Sequence, residues 1–250
     1  MGYKKIKDRR DFLVNTFNTG LFAGFVGTGL IGPLVKVMAN IPSELPPGQS
    51  IYDFDGDVTV DDKTITEQNM KTTLVRADST LTTGVDSWIT FAVGKDAHNL
   101  RENSRLKLEG SGFFEKAMRL VTGSVLSVFA SRVNAEDQYK VHTSTATVGI
   151  RGTGLYVESE PTMNRSYVCN CYGDINISST TNPAININIK TTHHDNPQYI
   201  YADDSQGDII QPAPFKNHTD EELQLIETIV GRNTPFSSVK EAYPRPRKDY

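Results

Sequence analysis

Along residues 140–157, KVHTSTATVGIRGTGLYV, polarity and branching alternate. Val141, Thr143, Thr145 and Thr147 share one parity, and His142, Ser144, Ala146 and Val148 the other. A period of two in a run rich in β-branched side chains predicts a strand. Gly149, Gly152 and Gly154 interrupt it before Leu155, Tyr156 and Val157 resume the pattern. That spacing predicts a bulge or sharp corner where backbone passes close to backbone. Upstream, short apolar runs are punctuated by turn residues. Asp55-Gly56 opens the Val58–Val60 run and Asp61-Asp62 closes it, Ala77-Asp78-Ser79 leads into Leu81, and Gly94-Lys95-Asp96 separates Phe91 from Leu100. Such runs indicate an all-β domain. Because they recur and end in Gly or Asp at comparable spacing, the expected arrangement is a twisted β-solenoid-like stack of short strands rather than a closed barrel. Residues 113–120, FFEKAMRL, fit a helical turn and a bulged strand equally well by periodicity.

Beyond the glycine-marked strand, residues 167–177, YVCNCYGDINI, predict another strand, bent at Gly173-Asp174. After a turn at Thr180–Pro183, Ile185, Ile187 and Ile189 alternate with Asn186 and Asn188, which makes Ala184–Lys190 its natural hairpin partner. His193 and His194 follow, and Pro197, Pro212 and Pro214 mark loops. A C-terminal α-helix is expected over 219–231. Thr219 and Glu222 form a capping box, Asp220 and Glu221 suit the positive end of the helix dipole, and Leu223, Ile226 and Val230 make an apolar stripe that ends at Gly231. The tail PRPRKDY is expected to fray.

With 250 residues, of which 37% are hydrophobic and 22% charged, the chain is long enough for one core or two small ones. Charge is distributed unevenly. Residues 1–39 hold six of the 26 basic residues and two of the 30 acidic ones, so the remainder carries −8, which argues against nucleic acid or an anionic membrane as main partner. Residues 8–13, DRRDFL, resemble a twin-arginine export motif. Behind it Leu21–Val35 is glycine-rich and shorter than the ~20 apolar residues of a spanning helix. Val37-Met38-Ala39 fits a small-residue cleavage site, so residues 1–39 are expected to be a signal peptide. A Pro-rich spacer follows over 40–50. Gly27, Gly29 and Gly32 match a dinucleotide-binding spacing, but they lie inside this leader with no βαβ unit around them.

The run T-x-T-A-T-V-G-I-R-G-T-G-L-Y-V resembles the signature of the FecR family, whose strand of this kind ends in an Arg-Gly-Thr turn at Arg151, Gly152 and Thr153. Thr82–Phe91 resembles the family's T-G-x-D-S-x-x-x-x-F segment, Leu100–Leu108 its next strand, and Leu120–Val128 the strand before the signature. The resemblance covers roughly residues 46–178, with the FecR-like domain bounded at 51–178 and a C-terminal extension over 179–250. Cys169 to Gly173 near the end of that domain, and His193-His194 and residues 218–232 in the extension, look like runs that recur in stand-alone members. Arg151 and Thr153 have two expected roles: ligand contacts, or a buried Arg bonded to turn carbonyls.

The two cysteines, Cys169 and Cys171, sit two apart. Extended-strand geometry holds their Cβ atoms farther apart than the ~3.5–4.5 Å that a disulfide requires. Period two places both thiols on one strand face, and the Ile-alternating partner strand leads to His193 and His194. Thiolate and imidazole together are ligands for zinc or copper, with iron a third option. Core packing of two small hydrophobes is the competing reading. His218 is read as a helix-start polar residue that has the right chemistry to complete a four-ligand set, and nothing is assigned to His98 or His142. No G-x-S-x-G, H-E-x-x-H or C-x-x-C-H pattern is present, so no enzyme is expected.

Family members are often signal transducers that join a periplasmic FecR domain, across a spanning helix, to a cytoplasmic part that binds a sigma factor. Here only seven residues precede the arginine motif, so that role is not carried over. The expectation is an exported, soluble periplasmic sensor or ligand-binding module with a Cys/His metal site. Its partners would be the twin-arginine export machinery and a periplasmic protein. The alternatives are a structural or protein-interaction module without metal, and a membrane anchor formed by an uncleaved leader.

Overall fold

Alternation of buried and exposed side chains builds nearly every element of this chain. The computed structural model describes residues 44–111, 114–132 and 138–236; the expected signal peptide, the start of the spacer and the tail PRPRKDY lie outside them. The strands are β1 (Ile51–Asp55), β2 (Val58–Val60), β3 (Lys63–Thr64), β4 (Thr80–Thr83), β5 (Trp88–Val93), β6 (Asp96–Leu100) and β7 (Arg105–Ser111). They continue with β8 (Phe114–Val128), β9 (Tyr139–His142), β10 (Ala146–Glu160), β11 (Arg165–Ser179), β12 (Asn186–Thr191), β13 (Gln198–Tyr201) and β14 (Ile210–Pro212). One α-helix, α1 (Asp220–Thr228), follows. The all-β class with a C-terminal helix is thus as expected. The strands join one open sheet, not a closed barrel, in which β8 and β9 pair in parallel and the other pairs are antiparallel.

Three strands of 15 residues, β8, β10 and β11, form the spine. β10 pairs with β11 from Ala146 to Glu160, and its opposite edge is shared by β9 over Thr147–Ile150 and β8 over Gly154–Ser159. The strand reading of 113–120 prevails from Phe114 onward: Met118 and Leu120 are buried while Arg119 and Val121 are exposed. Val148, Ile150, Leu155 and Val157 of β10 join Ile175 and Ile177 of β11 and Leu106 and Leu108 of β7 in a continuous core.

The predicted glycine corner is present. The β10–β11 register slips between Ile150 and Thr153 and again between Gly154 and Leu155. At the slip Gly152 has φ 122°, and a Cβ there would lie 2.6 Å from Ser131 Cα. Only glycine takes that backbone without strain. The β11–β12 hairpin also forms, with Ile175 opposite Ile189 and Ile177 opposite Ile187.

Helix α1 begins with the capping box: the Glu222 backbone N–H donates to Thr219 Oγ1 at 3.2 Å, and the Thr219 N–H to Glu222 Oε2 at 2.9 Å. Its buried stripe differs from the expected one. Leu223 and Ile226 point inward with Leu225 and Ile229, whereas Val230 is half-buried. The helix packs against β8 and β6. Among the described residues no helix is long and apolar enough to cross a membrane.

Candidate metal centre

In β11, Cys169 stands opposite Tyr156 of β10, and two residues on Cys171 follows; both are fully buried free thiols. The turn after β12 folds back on them. The His194 backbone N–H donates to the Cys171 carbonyl at 3.0 Å, and His194 itself takes φ 53°, a left-handed conformation that a non-glycine residue adopts at some cost. This aims its ring at the thiols. From the far side comes His218, one residue before the helix cap, its ring stacked on Tyr156 at 4.6 Å between centroids.

Cys169 Sγ lies 3.5 Å from His194 Nδ1, Cys171 Sγ lies 3.4 Å from His218 Nε2, and the two imidazole nitrogens are 3.1 Å apart. All four donor atoms fall within 4.8 Å of one another. A tetrahedron built on ordinary zinc–sulfur and zinc–nitrogen bond lengths has edges of about 3.5 Å between sulfur and nitrogen and about 3.3 Å between nitrogens. The observed separations match those edges.

The outer nitrogens are equally defined. His218 Nδ1 lies 2.8 Å from the Lys216 carbonyl, which can only accept, so the ring proton sits there and Nε2 faces inward with its lone pair. His194 Nε2 donates to Asp220 Oδ1 at 3.0 Å, which leaves Nδ1 as the inward atom. Partners of this kind are what orient histidine ligands at metal sites. Two lone pairs held 3.1 Å apart require a cation between them, either a proton or a metal ion.

Electrostatics show how protons balance the site. Burial pushes the Cys169 thiol up, but Cys171, His218 and His194 beside it hold it well below the usual thiol range. Burial and the neighbouring Cys169 push Cys171 well above that range. For His194, burial favours the neutral ring, yet Asp220 and Cys169 raise its pKa to about 9. Burial raises Asp220, and the two histidines that donate to it bring it below its ordinary value. A metal ion would replace these protons and favour both thiolates.

Cys169, His194 and Asp220 line up as a nucleophile, base and orienting acid would. The two chemistries differ in the access they need. Cys169, Cys171 and His218 are 0% exposed and His194 3%, so the sulfurs face protein on every side. Four protein donors enclosing one point, with no open position, suit a bound ion.

Of the residues read as ligands from the sequence, Cys169, Cys171 and His194 come together and His193 does not join them. Adjacent residues in a turn point different ways: His193 Nε2 bonds Asp220 Oδ2 at 2.9 Å, so it supports the carboxylate that supports His194. His218 takes the fourth corner. Asp220 was legible only as a helix first-turn acid, and its second role had no local signal. In the signature, Thr153 is buried, with Oγ1 2.6 Å from Asn170 Oδ1 and also donating to the Tyr172 carbonyl. Arg151 is not the buried residue expected in one reading; its side chain is 67% exposed, 4.0 Å from Asp174. It sits at the corner where β10 breaks register, and there it points to solvent.

No protein-family model matches the chain, and no curated protein matches it. Among solved structures, two crystal structures named "putative anti-sigma factor", from Parabacteroides distasonis, are similar at 10% identity with a TM-score of 0.44. Each match covers 54% of this chain and 58% of the other, so this chain spans less than two-thirds of that protein's length.

Proposed function

We propose that this chain is an exported, non-enzymatic binding module that holds one transition-metal ion between Cys169, Cys171, His194 and His218, and that it serves as a periplasmic sensor. The observation that carries the reading is the match of the donor separations to tetrahedral edges, with both outer imidazole nitrogens engaged by acceptors. Zinc suits the set best. Two thiolates and a divalent ion sum to zero charge, which a fully buried site favours, and zinc has no geometric preference to oppose the tetrahedron. Copper(I) would leave a net negative charge, and iron is the third option.

Export supports the same reading. The resemblance of residues 8–13 to a twin-arginine motif implies passage in the folded state, with the ion loaded where thiols stay reduced. The twin-arginine machinery is then the first partner and a periplasmic protein the second. Elemental analysis of protein recovered from its export route should find about one ion per chain, and Co²⁺ substitution should give thiolate charge-transfer absorption of a tetrahedral site. Changing Cys169→Ser with Cys171→Ser should abolish both. A double variant with unchanged metal content and thermal stability would overturn the reading.

A second reading rests on β12, which among the described strands pairs only with β11 and so presents an edge for strand addition. A partner that binds equally well with and without the ion would favour this interaction module.

A further inference from the structure

The four donors belong to three separate stretches of chain: β11 supplies two, the turn after β12 supplies His194, and the segment leading into α1 supplies His218. We infer that the ion is a clasp, which keeps residues 214–236 docked on the sheet, so that its loss opens this segment while the rest of the fold stays closed. The inference rests on the metal reading above.

Helix α1 has nine residues, fewer than the ~12–15 that an isolated helix needs to persist in water, so docking supplies its order. Leu223, Leu225, Ile226, Ile229 and Phe236 are buried by that docking. Much of the remaining attachment is charged. Lys216 Nζ meets Glu158 at 2.5 Å, Arg101 meets Glu222 at 3.0 Å, and Arg232 Nη1 donates to the Lys95 carbonyl. Ion pairs withdrawn from water gain little over their desolvation cost. Two of these guanidinium groups are also incompletely satisfied, since Arg101 Nε and Arg232 Nη2 are buried without a hydrogen-bond partner. A metal bond through His218, next to the Thr219 cap, is therefore the strongest single tie between segment and sheet.

The sheet does not share this dependence. β2 and β4 are held by ladders from Val58–Thr83 to Val60–Leu81 and from Thr80–Lys107 to Thr82–Arg105, apart from the donor set and from β6 and β8, on which α1 packs. A segment that adds no strand to these ladders can open without breaking them.

Hydrogen exchange by mass spectrometry on the full chain tests the clasp. Zn²⁺-loaded protein, its ion content fixed by elemental analysis, is compared with the same protein after chelation and after Zn²⁺ is restored. Amides in residues 220–230 should exchange about tenfold faster or more without the ion, because free metal well above its Kd multiplies the closed population. Those of β2 and β4 should be unchanged, and Zn²⁺ should restore the original rates. Stoichiometric zinc with no change at 220–230, or an equal rise in β2 and β4, overturns the clasp and leaves the metal reading standing. Protein that takes up no ion overturns both.

Discussion

Asp220 shows how much one side chain can do at the start of a helix. As the first helical residue it favours the dipole, and the same carboxylate takes a proton donor from His193 at 2.9 Å and from His194 at 3.0 Å. Replacing it by Asn keeps the shape but weakens both acceptor bonds. Asp220→Asn should lower zinc affinity about 10–100-fold in a competition titration with a chromophoric chelator, while the helix signal in circular dichroism persists. His193→Ala, which removes a supporter and not a ligand, should leave ion stoichiometry unchanged. Legibility at this scale was uneven for a physical reason. Cys169 and Cys171 announce a shared face through period two, but His218 lies 47 residues from Cys171, and no local pattern reports a contact closed by tertiary folding.

Between elements, the glycine corner of β10 is what lets one strand serve two neighbours. Before the corner it pairs with β9, after it with β8, and the register slip reorients the side chains so that Tyr156 reaches Cys169 and His218. Gly152→Ala would add a methyl against Ser131 at a φ of 122°. It should destabilise the fold by about 1–3 kcal/mol, read as a lower midpoint in urea with unchanged slope. Alternation and glycine spacing made this corner readable in advance. The 15-residue length of β8 was not, because Phe114, Ala117 and Met118 stand at the i, i+3, i+4 spacing of a helical turn. The order of the strands was also out of reach: pairs such as β4–β7 and β6–β8 join residues far apart in the chain.

Across the molecule, Glu158 ties the sheet to the segment that precedes α1. Burial raises its pKa, but Lys216, Asn217 and Tyr156 together bring it below the ordinary value of 4.5. A carboxyl depressed in the folded state contributes stability above its unfolded pKa and loses it as pH falls through the folded one. The wild-type advantage over Glu158→Gln should therefore be full at about pH 6 and shrink on acidification below 4.5, vanishing under the folded value. Urea denaturation of both proteins at each pH measures it, and an advantage that grew in acid would contradict the assignment.

At the other end of the same helix, the Leu45 N–H donates to the Ile229 carbonyl at 2.9 Å. Tension applied to the chain ahead of Glu44 therefore loads that bond and the helix behind it before it reaches β1. If the Cys/His cluster holds its ion as proposed, a pull ahead of Glu44 and the grip on that ion would act in mechanical series.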